Sequence, residues 1–173
     1  MIINLIGPPA VGKSTFASRF VLEHPYYKYC TIDAYRVDNY NNGLSELENN
    51  KVAWIRFWKD VYHAKDVVIE SIGLDWRLKK IFQKLSDRPR LTIAFIGNAQ
   101  TIISRLKDRQ HKRPLPIKYN FQDEIDTVYY VLDELSKDKA EYDTGIYVTD
   151  LTPSEVYELV TPQITSFRID HSG

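Results

Sequence analysis

The chain has 173 residues, of which 43% are hydrophobic and 13% aromatic, and 23 Lys+Arg balance 23 Asp+Glu. This length suits one domain with a sizeable core, and the zero net charge excludes the bulk basic surface of a protein that coats long nucleic acids. A single cysteine excludes an internal disulfide, and no apolar run approaches the roughly 20 residues of a membrane helix. With no basic leader at the start, we expect one cytoplasmic domain over residues 1–173, with no membrane partner.

Short apolar runs alternate with amphipathic stretches along the chain, which predicts strands alternating with helices. The predicted strands are residues 2–6, 28–32, 67–69, 91–96 and 146–148. The predicted helices are residues 13–23, 45–64, 74–85, 99–109, 123–135 and 152–164. Between them, residues 39–43 are polar and turn-like, and residues 110–117 contain two prolines and cannot form regular helix. This order predicts a three-layer α/β fold with a mostly parallel sheet of about five strands.

The first strand and first helix are joined by a complete phosphate-binding motif. Residues 7–14 read G-P-P-A-V-G-K-S and match G-x-x-x-x-G-K-[ST] at every required position. Backbone amides and the helix N-terminus attract phosphate, the lysine reaches the β- and γ-phosphates, and the serine hydroxyl can bind Mg²⁺. The predicted nucleotide-binding residues are Gly7, Pro8, Pro9, Ala10, Val11, Gly12, Lys13, Ser14 and Thr15. The motif predicts a P-loop for a nucleoside triphosphate, with the base open between ATP and GTP.

A carboxylate follows the second strand, where ligands bind in parallel α/β sheets. Asp33 is expected to face the γ-phosphate and accept a proton from an acceptor hydroxyl. Arg36, one helical turn on, can hold an acceptor phosphate. The alternative is a helix-capping aspartate with a surface ion pair.

The P-loop followed by Asp33-Ala34-Tyr35-Arg36 resembles the polynucleotide 5′-hydroxyl kinase family over the first 40 residues. Zeta-toxin-type and shikimate-type kinases are similar in their broader plan. The resemblance implies that Asp33 activates the 5′-hydroxyl and that Arg36 holds the neighbouring phosphate. Tyr35 is the nearby candidate for stacking on a base.

A basic segment after the fourth strand has the place of an arginine-bearing lid, over residues 105–118. Arginines there neutralise the charge on the phosphoryl group in transfer. The spacing of Arg105 and Arg109 puts both on one helical face. Similarity to the polynucleotide kinase lid favours Arg109 as the residue on the transferring phosphate, with Arg105 on the nucleotide. Arg113 is a candidate acceptor contact, and the alternative is a solvated basic helix end.

The third strand ends in Glu70-Ser71, and an acid there can hold Mg²⁺ through water. Polynucleotide kinases carry an aspartate one position later, so the choice among Glu70, Ser71 and Asp75 stays open. Ser71 and Arg77 are further acceptor candidates. An aromatic stripe on the predicted helix over residues 45–64 is more typical of core than of a base-stacking platform: Trp54, Phe57, Trp58 and Tyr62.

Three functions compete. The first is an ATP- and Mg²⁺-dependent kinase acting on the 5′-hydroxyl of a polynucleotide, a hydroxyl on a modified DNA base, or a nucleotide. The second is a small-molecule kinase for a nucleoside, nucleoside monophosphate or metabolite. The third is a P-loop ATPase that is not a kinase. The sequence leaves the acceptor and the oligomeric state open.

Overall fold

The computed structural model of the chain describes residues 1–40, 43–112, 120–137 and 141–171. Within these residues five strands form one sheet in the order β2-β3-β1-β4-β5, and every neighbouring pair is parallel. The strands are β1 (Ile2–Ile6), β2 (Tyr27–Thr31), β3 (Asp66–Glu70), β4 (Arg90–Ile96) and β5 (Thr144–Tyr147). The predicted parallel sheet of five strands is confirmed. The carboxyl ends of β1, β2 and β3 meet at one edge of the sheet.

Seven helices accompany the strands in the described part of the chain. They are α1 (Lys13–Glu23), α2 (Ile32–Tyr40), α3 (Glu46–His63), α4 (Trp76–Lys84), α5 (Ala99–Lys112), α6 (Phe121–Ser136) and α7 (Pro153–Asp170). Local sequence signals fix where α3 and α7 begin: Ser45 and Thr152 form capping boxes, and Pro153 occupies the first turn of α7. None of these helices combines the length and apolar character that crossing a bilayer requires.

The sheet is buried on both faces, which gives the predicted three layers. On one face Phe16 and Phe20 of α1 pack with Val160 of α7 against Ile3 and Leu5 of β1. The opposite face carries a second cluster formed by α3, α4 and β3, with these buried members: Ala53, Phe57, Val61, Val67, Ile69, Leu78 and Ile81. The central strands therefore read as continuous apolar runs, as expected of a doubly covered parallel sheet.

Three predicted boundaries are wrong. Residue 39 belongs to helix α2 and not to a turn, because Asn39 is buried and its Oδ1 accepts from Arg56 Nη1 at 2.8 Å. Helix α5 continues through residues 110–112, since Pro114 restricts the residue before it and leaves the preceding turn free to be helical. Helix α7 runs past residue 164 to Asp170.

Candidate active site

The P-loop geometry depends on two glycines. Gly7 has φ +141°, and a Cβ there would lie 2.4 Å from the Phe95 carbonyl oxygen of β4. Gly12 has φ +115° and caps α1 without a side-chain hydrogen bond. The first turn of α1 carries no acidic residue, so its backbone N–H groups and positive helix end favour an anion. The loop therefore has the local chemistry of a phosphate site.

Lys13 is buried at the centre of this loop. Its Nζ donates to the carbonyl oxygens of Gly7 and Pro8, both at 2.8 Å, and lies 3.9 Å from Glu70 Oε1. Burial lowers the pKa of Lys13 to about 8, the carboxylates of Glu70 and Asp33 act in the opposite direction, and Arg109 lowers it further. Of the predicted catalytic residues, Asp33 and Arg109 thus each act electrostatically on Lys13.

Glu70 connects the P-loop to the third strand. Ser14 Oγ donates to Glu70 Oε1 at 2.9 Å, and the Tyr29 hydroxyl of β2 donates to Glu70 Oε2. Burial, reinforced by the Glu70 carboxylate, raises the pKa of Tyr29, so the phenol remains a donor. The sequence missed Tyr29, because an aromatic residue within a strand is typical of core.

The oxygens of Ser14 and Glu70 fit Mg²⁺. This ion prefers hard oxygen ligands and is held by one or two protein groups together with substrate phosphates and water. Of the three third-strand candidates, Glu70 bonds Ser14. Ser71 Oγ instead accepts from the Gly73 amide at 3.1 Å, and Asp75 caps α4 through the Arg77 amide at 2.7 Å. In the described residues no group of three or more His, Cys, Asp or Glu converges, so such a site would depend on phosphate oxygens.

Asp33 lies in the first turn of α2 and is paired with Arg36. Arg36 Nη1 donates to Asp33 Oδ1 at 3.0 Å, while its Nε and Nη2 donate to Asn50 Oδ1 of α3 at 3.2 and 2.8 Å. The ion pair of the alternative interpretation is therefore present. Both residues also line the cleft that holds the P-loop, so the pair faces the phosphate site.

The two arginines of the predicted lid, Arg105 and Arg109, lie one turn apart on α5. Arg105 Nη2 donates to the Thr149 carbonyl oxygen at 3.2 Å, and Arg109 Nη2 donates to Glu124 Oε1 of α6 at 2.7 Å. Arg113 and the rest of the predicted lid, residues 113–118, lie outside the described residues. Glu124 was missed by sequence analysis, because one acid among many on a helix gives no local signal.

A cleft of about 860 Å³ brings these groups together. On the β2–β3 side its wall includes Ile32, Trp54, Phe57, Ile72 and Leu78. On the β4–β5 side it includes Phe95, Arg105, Val148, Leu151 and Pro153. The P-loop lies between the two halves, so the cleft can hold a donor on one side and an acceptor on the other. Half of the aromatic stripe, Trp54 and Phe57, lines this cleft.

Two predicted acceptor residues do not line the cleft. Tyr35 is buried, and its hydroxyl donates to Asp60 Oδ2 at 2.7 Å. Residues 33 and 36 share a helical face while residue 35 points elsewhere, so the structure places Tyr35 in the core and not on a stacking platform. Arg77 lies over the rings of Trp54 and Trp76, at 5.4 and 4.9 Å from their centroids. Arg77 thus contacts Trp54, which lines the cleft, but does not line the cleft itself.

Solved structures share this architecture at low sequence identity. The shikimate kinase from Bacteroides thetaiotaomicron has a TM-score of 0.65 at 13% identity, covering 95% of this chain and 98% of that chain. The gluconokinase from Sinorhizobium meliloti 1021 has a TM-score of 0.65 at 13% identity, covering 97% and 93%. A chain of the Pnkp1/Rnl/Hen1 RNA repair complex has a TM-score of 0.61 at 18% identity, covering 82% and 46%.

The chain has the fold of the P-loop kinases. No protein-family model matches it, and no curated protein matches it at a significant level. The predicted three-layer P-loop fold is confirmed. The finer resemblance to polynucleotide kinases depends on residues 7–14 and 33–36 and stays a prediction.

Proposed function

We propose that this protein is an ATP-dependent kinase that transfers the γ-phosphoryl group to a hydroxyl of a nucleic acid or nucleotide. The observation that carries the proposal is the position of Asp33. This carboxylate lines the same cleft as the P-loop, and its charge opposes the burial that lowers the pKa of Lys13. A carboxylate beside the P-loop can take the proton of an acceptor hydroxyl that attacks the γ-phosphate.

The roles follow from the charges in the cleft. The P-loop amides and Lys13 bind the triphosphate, and Asp33 accepts the proton of the acceptor hydroxyl as its oxygen attacks the γ-phosphorus. The bond from that phosphorus to the β,γ-bridging oxygen breaks, and ADP leaves. Arg109 stabilises the charge on the transferring group. Ser14 and Glu70 would hold Mg²⁺, which neutralises charge on the phosphate oxygens when it is bound.

The acceptor half of the cleft supports a nucleic-acid or nucleotide substrate. The half-buried Trp54 lines the same cleft as Asp33 and Arg36, with the buried Phe57 packed behind it. Aromatic faces stack on bases with little sequence preference, and a guanidinium binds the phosphate that follows a nucleoside. A 5′-terminal nucleoside, a modified base and a free nucleotide all carry a base for the aromatic wall and a phosphate for the guanidinium.

A small-molecule acceptor is the second candidate, and the comparisons favour it in one respect. Shikimate kinase and gluconokinase match over nearly their whole length, whereas this chain spans less than half of the RNA repair protein. A metabolite acceptor would leave the Asp33 chemistry unchanged and would use Arg36 as its anion contact.

The test is transfer of labelled γ-phosphate, with Mg²⁺, to four acceptor classes. These are a 5′-hydroxyl oligonucleotide, a DNA with a hydroxymethylated base, nucleosides with their monophosphates, and a panel of sugar acids and polyols. We expect label on the oligonucleotide or on the hydroxymethylated DNA, and end-mapping identifies the hydroxyl. Label confined to nucleosides, their monophosphates, sugar acids or polyols would support the second candidate. Label on none of the four, with ATP hydrolysed to phosphate, would contradict both kinase proposals.

Asp33→Asn tests the proposed base. The variant should bind ATP normally and lose about 10²- to 10⁴-fold in transfer, which is the usual contribution of a positioned base. Asp38→Asn is the matched control, because Asp38 is on the same helix, is exposed and pairs with Arg56 at 3.3 Å. Full transfer by Asp33→Asn would show that the carboxylate is not the base.

A further inference from the structure

Arg109 is held by a carboxylate from another helix. Its Nη2 donates to Glu124 Oε1 at 2.7 Å, joining α5 to the first turn of α6 across the segment that follows α5. Both side chains line the active-site cleft. The pair therefore belongs to the cleft and not to the outer surface of the two helices.

The environment of Glu124 is unusual for a helical acid. The residue is 9% exposed, while the neighbouring acids Asp123 and Asp126 are exposed. Helix α6 already has a cap, since Asn120 Oδ1 accepts from the Gln122 amide at 3.1 Å. A buried carboxylate is costly unless it is paired. Because Asn120 already caps the helix, the ion pair with Arg109 explains why Glu124 is charged and buried here.

Such a carboxylate can act on the arginine in two opposite ways. It can keep Arg109 away from the phosphate site until a nucleotide competes for it, or it can hold Arg109 at the site in advance. While it is bonded to Glu124, Arg109 lines the same cleft as Lys13 and Ser14 of the P-loop. The ion pair therefore holds the guanidinium on the wall of this cleft and not away from it, which favours the second arrangement.

We propose that Glu124 is a positioning residue that preorganises Arg109 at the phosphoryl group in transfer. The inference rests on the proposed kinase function. A guanidinium has five N–H donors, so Arg109 can keep its bond to Glu124 and donate to phosphate oxygens at the same time. Groups fixed before the reaction lower the barrier because they need not reorganise at the transition state.

The first measurement is binding of ADP with aluminium fluoride and Mg²⁺, which imitates the transferring phosphoryl group, compared with binding of ADP alone. The wild-type protein should bind the mimic more tightly than ADP. Glu124→Gln should weaken binding of the mimic about tenfold or more and binding of ADP less than threefold, because only the mimic contacts the arginine. The matched control is Asp123→Asn, which removes the same charge one residue away.

Kinetics and a double-mutant cycle complete the test. Glu124→Gln should lower kcat about tenfold or more with little change in either KM, and Glu124→Asp should recover part of the loss. In an Arg109→Ala background, Glu124→Gln should have no further effect on binding of the mimic. Tighter binding of ATP or the mimic by Glu124→Gln would identify an inhibitory latch and overturn the proposal, as would additive effects in the cycle.

The two proposals fail in different ways. Binding of the mimic does not need an acceptor, so it reports on Glu124 even when no acceptor is phosphorylated. A wild-type protein that binds the mimic no better than ADP would overturn the positioning role directly. Normal Glu124 effects on the mimic without transfer to any acceptor class would contradict the kinase proposal alone.

Discussion

Lys13 carries its charge in a site that water barely reaches. The two loop carbonyls that hold its ammonium are neutral, and Glu70 is 3.9 Å away. Burial disfavours the charged amine more than the nearby carboxylates of Glu70 and Asp33 favour it, which is why the pKa of Lys13 falls to about 8. A triphosphate supplies the missing negative charge.

Affinity for the nucleotide should consequently depend on pH. The triphosphate favours protonated Lys13, and the free site loses that proton as the pH rises through about 8. The Kd of a non-hydrolysable ATP analogue should rise about tenfold between pH 7 and pH 9, with proton uptake on binding near pH 8.5. Calorimetry in buffers of different ionisation enthalpy measures both. A flat Kd across this interval would show that the lysine stays charged.

Tyr29 should matter for the metal. Tyr29→Phe removes the donor to Glu70 Oε2 and frees the carboxylate to rotate, and losing such a second contact usually weakens metal binding about tenfold or more. We expect a higher Mg²⁺ requirement for ATP turnover, with little change at saturating Mg²⁺. Tyr26→Phe is the control, since Tyr26 is exposed and bonds only weakly to His24, at 3.5 Å. An unchanged Mg²⁺ titration for Tyr29→Phe would contradict this.

Individual site residues can be predicted from the sequence only where they are neighbours along the chain. Residues 7–14 form one loop, so a pattern within eight residues predicts it. Tyr29 lies on strand β2 and Glu124 on helix α6, and only tertiary packing brings them to their partners Glu70 and Arg109. Tyr35 failed as a cleft residue because the sequence did not reveal helix α2, which turns it away from Asp33.

Among the elements, α2 depends on its neighbour. A nine-residue helix is marginal by itself, and α3 holds it through five side-chain contacts: Asn39–Arg56, Asp38–Arg56, Arg36–Asn50, the Arg36 carbonyl oxygen with Asn49, and Tyr35–Asp60. These contacts explain why a polar segment that favours a turn is helical. They also mean that α3 sets the position of Asp33.

Removing one of these contacts should disturb the acceptor side alone. Asn50→Ala leaves the Arg36 guanidinium without its α3 partner, so Arg36 and Asp33 lose their fixed orientation. We expect kcat to fall and the acceptor KM to rise several-fold, the ATP KM to stay constant, and the free energy of unfolding to fall by about 1 kcal/mol. Lys51→Ala, at an exposed neighbouring position, is the control. A change in the ATP KM instead would place Arg36 on the donor side.

For the whole molecule, strand order separates the two halves of the cleft that the proposed function assigns to donor and acceptor. The P-loop follows the central strand, α2 to α4 accompany β2 and β3, and the Thr149 region follows β5. Trp54 lies on the acceptor side of this division. The chain has two other tryptophans, Trp58 beside Lys84 and the exposed Trp76, which can be replaced to isolate its signal.

A Trp58→Phe/Trp76→Phe variant keeps Trp54 as its one tryptophan. Titration with a nucleoside or a short 5′-hydroxyl oligonucleotide should quench its emission, because a base packed against the cleft wall contacts the indole. An ATP analogue alone should change the emission much less. The control is Trp54→Phe/Trp76→Phe, in which Trp58 reports instead. Equal responses of both variants would mean that the base does not bind beside Trp54.

The order of the strands also governs how the chain matures on the ribosome. Strand β1 is synthesised before the other four strands, yet its partners are residues 66–70 and 90–96, and Gly7 packs against Phe95. The nucleotide loop is therefore completed only after residue 96 of 173 has been made. Until then an apolar N-terminal segment has no sheet to join, and contacts between distant parts of a chain form slowly. Newborn chains arrested before that point should bind holding chaperones and no nucleotide.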